Sequence, residues 1–303
     1  MAIMLGENRY GKAENRVFRV TRHGDTHEIL DLNVSVQLMG DFADTHLTGD
    51  NAKVLPTDTQ KNTVFALSHQ LGPLEPEAFG IALARHFLST QSHVSGAEIR
   101  IERFPWERIE CKGKPHPRAF RRDGSHVRVA TVRAARDGSE LRTWVTSGIE
   151  DLVVLKTGDS AFKGYVRDRF TTLKETDDRI MATEVSARWR WSESDPAALE
   201  RIDWAASHRA AMDALQGTFA DHYSLSLQQT LYAMGEQLLT EQLGIAAVRL
   251  SLPNKHHFVV DLSPFGQDNR NEVHIAADRP YGFIEAVVQR DDAPPPPPTW
   301  PTW

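Results

Sequence analysis

With one cysteine in 303 residues, Cys111, the chain has no intramolecular disulfide framework, and a lone thiol fits a reducing compartment. Long apolar runs are missing too. Met1-Ala2-Ile3-Met4-Leu5 is shorter than the roughly 7–15 residues of a signal-peptide core, and no later segment has the length of a membrane span. A soluble, cytoplasmic protein with no membrane partner is expected. Nor is there an excess of basic charge: 35 Lys and Arg face 41 Asp and Glu, for a net charge of −6, and no Lys/Arg-rich block reverses that balance. Nucleic acid is therefore not an expected partner. What is present is a 40% hydrophobic complement, enough for a large core, over a length that suggests about two domains.

Between Leu30 and Leu38, the apolar residues Leu30, Leu32, Val34, Val36 and Leu38 alternate with Asp31, Asn33, Ser35 and Gln37. That period of two is a strand with one wet face, as in an antiparallel sheet packed on helices or facing a polar lumen. Val17 to Thr21 pairs with it through the polar turn His23-Gly24-Asp25. Two helical patterns follow, Thr57 to Leu71 and Glu75 to Leu88, punctuated by Gly72-Pro73. Strands then resume around Ile99 and Ile101, around Val127 and Val129, and from Leu141 to Ile149 after an Asp137-Gly138 turn. The second half repeats the order. A strand from Glu184 to Trp191 precedes helices over 196–215 and 226–243, and closing strands are expected over 248–252, 258–262 and 272–276.

Two strand-strand-helix-helix-strand-strand units give an α+β architecture with helices on one face of antiparallel sheet. The boundaries expected are 1–140, 141–290 and a proline-rich tail over 291–303. The tail is read as a solvated end or as a ligand for a proline-recognition module. Open sheet edges are hazardous for a soluble protein, so a closed homo-oligomer is expected.

Few chemical signals stand on their own. Gly6 to Lys12 matches G-x-x-x-x-G-K, but Ala13 replaces the required Ser or Thr and a strand follows, so a P-loop is rejected. His23 and His27 flank a turn and lack a third ligand, His256-His257 alternate across a strand, and Cys111 has no ligand companion, so no metal site is expected. Thr57-Asp58 reads as a helix N-cap, a position that also suits a bound anion. In Ser251 to Phe258, a hairpin turn accounts for Pro253-Asn254 and leaves the role of His256 open.

Taken together, five ordered segments resemble the urate oxidase (uricase) family from Tyr10 to about Glu285. They are Tyr10-Gly11-Lys12, Thr57-Asp58 with Lys61-Asn62-Thr63, Thr171 to Thr176 with Asp178-Arg179, Leu227-Gln228 with Thr230 and Tyr232, and Leu252 to His256. The resemblance implies the tunnelling fold (T-fold), with two tandem units per chain and a barrel closed by assembly into a homotetramer. It implies oxidation of urate by O2 and water to 5-hydroxyisourate and hydrogen peroxide, without a cofactor or metal.

The resemblance also implies a site shared between subunits. Thr57 and Asp58 come from one chain, and Phe162, Arg179, Leu227 and Gln228 from another. Arg179 and Gln228 would pair with the edges of the purine, Phe162 would stack on its plane, and the amides of Asp58 and Leu227 would complete the ring. Asn254 would hold oxygen and then water, while Lys12, Thr57 and His256 relay protons. Two other readings are kept: a related enzyme of pterins or purines that uses a metal, and a purine-binding scaffold without the relay. The end at Thr302-Trp303 departs from the peroxisomal address of many eukaryotic relatives and fits a bacterial type.

Overall fold

The structure is a computed structural model that describes residues 3–138 and 140–295. Most of the proline-rich tail therefore lies outside the described residues. The chain forms two compact units. Of the described residues, one takes those up to Gly148, Arg190–Ser207 and 294–295, the other Ile149–Trp189 and His208–Ala293.

The first unit begins with β1 (Tyr10–His23) and β2 (Thr26–Gly40), antiparallel with Val17 opposite Leu32. The alternation explains the burial: Leu32, Val34, Val36 and Leu38 are buried, while Asn33, Ser35 and Gln37 stay partly open. A short helix α1 (Ala43–Leu47) leads to α2 (Thr57–Leu71) and α3 (Pro76–Thr90). The strands β3 (Val94–Arg103), β6 (Val127–Asp137) and β7 (Glu140–Lys156) complete the order β1-β2-β3-β6-β7. Helix α2 packs on β1, and α3 on β3 and β6, burying Phe79, Leu83 and Phe87. Periodicity did not show the separate ribbon of β4 (Trp106–Cys111) and β5 (Lys114–Arg122). Its turn residues Lys112 and Gly113 both have positive φ (54° and 73°), as a tight two-residue hairpin requires.

The second unit orders its strands β7-β8-β9-β10, where β8 is Met181–Trp191, β9 Ile245–Val259 and β10 His274–Gln289. Val185, Ala187 and Trp189 on β8 are fully buried. Helix α6 (Leu227–Glu241) packs on β9 and β10. Two expectations need correcting. The helix expected over 196–215 is broken into α4 (Pro196–Leu199) and α5 (Trp204–Asp221). The break arises because Asp203 starts a new helix, its carboxylate accepting from Ala206 N at 2.9 Å. The turn expected at Pro253-Asn254 is absent: β9 runs straight through it, with Pro253 opposite Phe283 and Asn254 opposite Gly282. An extended backbone suits proline's fixed φ, and the irregularity falls on β10 instead, between Ala277 and Gly282. The strands expected over 258–262 and 272–276 are the end of β9 and the start of β10, whose second half was not anticipated.

In the first unit a buried ion cluster ties α3 to the sheet. Arg128 of β6 donates to Glu75 at 2.5 Å, to Glu77 at 2.7 Å and to Trp204 O at 3.2 Å, and Glu77 is 1% exposed. Burial raises the Glu77 carboxyl above its ordinary range despite Arg128 and Ser147. Removing the guanidinium strands that carboxylate, so Arg128→Ala is expected to destabilise the fold by roughly 3–5 kcal/mol. The measurement is the denaturant midpoint at fixed protein concentration, and an unshifted midpoint contradicts the cluster's role. Among the described residues no helix is long and apolar enough to cross a membrane.

Candidate active site

Three of the expected site residues belong to the first unit. Gly11 lies so close to β2 that a Cβ there would meet Val36 O at 1.8 Å, so only glycine allows this approach. Directly afterwards the β1–β2 register shifts between Lys12 and Asn15, with Glu14 at φ 55°. Asn15 secures the bulge by donating to Lys12 O (3.2 Å) and Val34 O (2.7 Å). Such a bulge re-aims a side chain from the regular pleat, and here it follows Lys12.

The phenol of Tyr10 fixes the approach to α2, accepting from Leu55 N at 2.9 Å and donating to Leu55 O at 3.1 Å. Helix α2 then starts at Thr57, with Pro56 as N-cap and no side-chain cap. This corrects the expectation that Thr57-Asp58 forms the cap. They are the first two helical residues, so their amides are among those a helix start leaves open. The Asp58 carboxylate is occupied by Lys61 and by Asn62 at 3.3 Å. Lys61 chiefly, with a smaller contribution from Lys12, holds its carboxyl below the usual range.

The other expected residues meet in the second unit. Phe162, Arg179, Leu227, Gln228, Asn254 and His256 line one cavity of about 930 Å³. Leu227 and Gln228 open α6, where Ser226 as N-cap accepts from Gln229 N at 3.1 Å and the Gln229 carboxamide accepts from Leu225 N at 2.8 Å. These bonds use the side chains of Ser226 and Gln229 and leave the amides of Leu227 and Gln228 at the helix's positive end. Thr57-Asp58 and Leu227-Gln228 thus each occupy the first two positions of a helix, α2 in the first unit and α6 in the second.

Arg179 is the cation of this cavity. Its guanidinium stands 5.2 Å above the Phe162 ring, and its Nε is buried without a hydrogen-bond partner. A half-buried cation with an unmatched donor favours an acceptor in the cavity. Desolvation alone lowers its pKa. Desolvation first, then the charges of Arg179 and His257, lowers that of His256, whose ring stacks on Phe258 at 5.6 Å. His256 is therefore biased to the neutral imidazole, able to accept a proton. Its strand is pinned by Lys255, which bonds Glu184 of β8 at 2.7 Å.

The cavity also includes His257 and Ile180, which sequence reading did not place in the site, and Thr176, which it named only within a motif. His257 had been separated from His256 by strand alternation. No group of three His, Cys, Asp or Glu among the described residues is arranged to hold a metal.

Fold and cavity define a tandem-unit α+β protein whose pocket suits a flat, anionic heterocycle: a cation, an aromatic face, an amide side chain and helix-start amides converge on it. Comparison with known proteins narrows that class. A sequence model of the family "Uricase" matches residues 8–133 and 145–285. The chain is 47% identical over 298 residues to the uricase of Arthrobacter globiformis, covering 98% of this chain and 94% of that one. It is 38% identical over 293 residues to the uricase of Dictyostelium discoideum, covering 96% and 98%. The crystal structure of the Arthrobacter globiformis uricase superposes with a TM-score of 0.90 at 46% identity, over 98% of this chain and 99% of that one. A uricase from Bacillus fastidious, at 23% identity and a TM-score of 0.81 over 94% of each chain, shares the fold. The chain belongs to the uricase family, an oxidoreductase with the tunnelling fold.

Proposed function

We propose that the protein is a urate oxidase that converts urate, O2 and water to 5-hydroxyisourate and hydrogen peroxide, with no cofactor. The observation that carries this reading is the convergence of six residues, from four separate stretches of sequence, on one cavity of the second unit. In it Arg179 pairs with the anionic edge of urate, Gln228 reads the adjacent amide edge, and Phe162 packs against the ring plane. Asn254 holds oxygen and then water above that plane.

Urate gives up two electrons and O2 takes them. With two protons O2 leaves as peroxide, while water supplies the hydroxyl of the product. An easily oxidised urate dianion donates the electrons itself, so the protein has to deprotonate, orient and deliver protons. His256, biased to its neutral form, accepts a proton, and Lys12 and Thr57 complete the relay.

Lys12, Thr57 and Asp58 belong to the first unit, and the cavity described is lined by the second. On this reading they reach it from another copy of the chain, in a homotetramer that closes the two tandem T-fold units, 1–140 and 141–290, into a barrel. The edge strand β10 supports assembly: Ile275, Tyr281, Phe283 and Val287 are all exposed on it, an apolar edge a soluble protein covers. The setting proposed is the cytoplasm.

Subunit complementation tests the shared site. Lys12→Ala and Arg179→Ala chains, the first slow at every urate concentration and the second slow at urate near the wild-type KM, are expected to regain turnover at that concentration when co-expressed, because some hybrid sites receive both wild-type halves. Hybrid oligomers that remain inactive contradict a site built from two chains.

A further inference from the structure

In the second unit the loop from Phe162 to Thr176 is closed by a pair of backbone hydrogen bonds, Phe162 N to Thr176 O at 2.9 Å and Thr176 N to Phe162 O at 3.1 Å. No helix or strand lies between them. An aromatic side chain at the mouth of such a loop rotates unless something packs against it. Against Phe162 lies Tyr165, ring centroids 5.0 Å apart and planes 15° from parallel.

Tyr165 does not line the cavity, whereas Phe162 does. The phenol of Tyr165 donates to Leu173 O at 2.7 Å, and Leu173 with its neighbours Thr172 and Lys174 forms another part of the cavity wall. The guanidinium of Arg167 stands 5.8 Å from the Tyr165 ring and also reaches Leu173 O, at 3.4 Å. One side chain outside the cavity thus holds two parts of its wall, by its ring and by its hydroxyl.

We propose that Tyr165 is a positioning residue of the substrate site: its ring backs Phe162 and its hydroxyl anchors Leu173, so that the stacking wall is set before a purine anion arrives. This rests on the urate reading of the cavity. A wall ordered in advance spares the bound state the entropy of ordering it, and the benefit falls on binding rather than on the chemical step. The loop has independent ties, including Gly164 N to Glu175 Oε1 at 3.1 Å and the Lys163–Asp177 ion pair. Loss of Tyr165 therefore loosens the wall without unfolding the unit.

The test is urate affinity measured without oxygen, where no turnover intervenes, for the wild type, Tyr165→Phe and Tyr165→Leu as intact oligomers. Tyr165→Phe keeps the stack and loses one hydrogen bond, so about 2- to 10-fold weaker binding is expected. Tyr165→Leu loses the stack as well and should weaken binding by a further factor of about 2–10. In air, KM should rise in the same order while kcat at saturating urate and the thermal midpoint hold. Wild-type affinity in Tyr165→Leu overturns the proposal, and so does a loss confined to kcat. A wild type that binds urate without oxidising it overturns the proposed function, and the affinity series still decides the role of Tyr165. A wild type that does not bind urate overturns both.

Discussion

Lys12→Ala is expected to lower kcat by about 10²- to 10⁴-fold, the range for losing a positioned proton-transfer group, while anaerobic urate affinity changes far less. The expectation follows from where the structure puts the residue. Lys12 sits at the bulge of β1, on a strand held against β2 by the Gly11 contact, and its charge is felt by Asp58 at the start of α2. The Tyr10–Leu55 hydrogen bonds hold that helix start in place. Thr57→Ala should behave alike, since its hydroxyl belongs to the same relay and its amide survives the substitution. If Lys12→Ala keeps full turnover, the relay is wrongly assigned even where urate remains the substrate.

Arg179→Ala is expected to act on the other parameter, raising KM roughly 100-fold or more, since hydrogen bonds to a charged group contribute about 1.5–3 kcal/mol each and a guanidinium makes two to a flat anion. An unchanged KM would remove Arg179 from the binding role. The pH dependence supplies a second reading of the same residue. Burial, then the charges of Arg179 and His257, hold the His256 imidazole below its ordinary pKa. Removing the guanidinium makes imidazolium less costly, so the His256 pKa moves up. A step that needs neutral His256 is lost as pH falls through that pKa. The acid limb of kcat/KM should therefore shift to higher pH in Arg179→Gln, and a shift to lower pH contradicts the assignment.

Much of the frame was legible because burial and period coincide. The strand at Leu30 to Leu38 alternates without a break, the helix expected from Glu75 to Leu88 carries Phe79, Leu83, Phe87 and Leu88 on its buried face, and each is found where its pattern lies. Local chemistry that competes with pattern was harder to read. The break in the helix expected over 196–215 is set by the cap at Asp203, and the passage of β9 through Pro253-Asn254 depends on the pairing of Asn254 with Gly282, remote in sequence. The hairpin of β4 and β5 carries its signal in Lys112-Gly113, a turn that matters only once both arms are recognised.

The site was legible in a different way. Periodicity could assign Gln228 to a helix and left Arg179, ahead of β8, in no element, and it placed neither in a cavity; Phe162 reads as ordinary core until its neighbours are known. Family resemblance supplied the set, and the structure brings six of its members to one cavity. The residues that hold the set in place, such as Gln229 behind Leu227-Gln228 and Tyr165 behind Phe162, carry no motif. Their roles arise from hydrogen bonds and ring contacts that a linear reading does not contain.

The central claim is tested most directly by mixing the purified protein, exhaustively treated with chelator, with urate in air while following urate absorbance and peroxide together. Loss of urate with one peroxide formed per urate consumed, unaffected by chelation, is the expected result. Stable urate contradicts the urate oxidase reading, and turnover abolished by chelation contradicts a reaction carried by the residues of the chain alone.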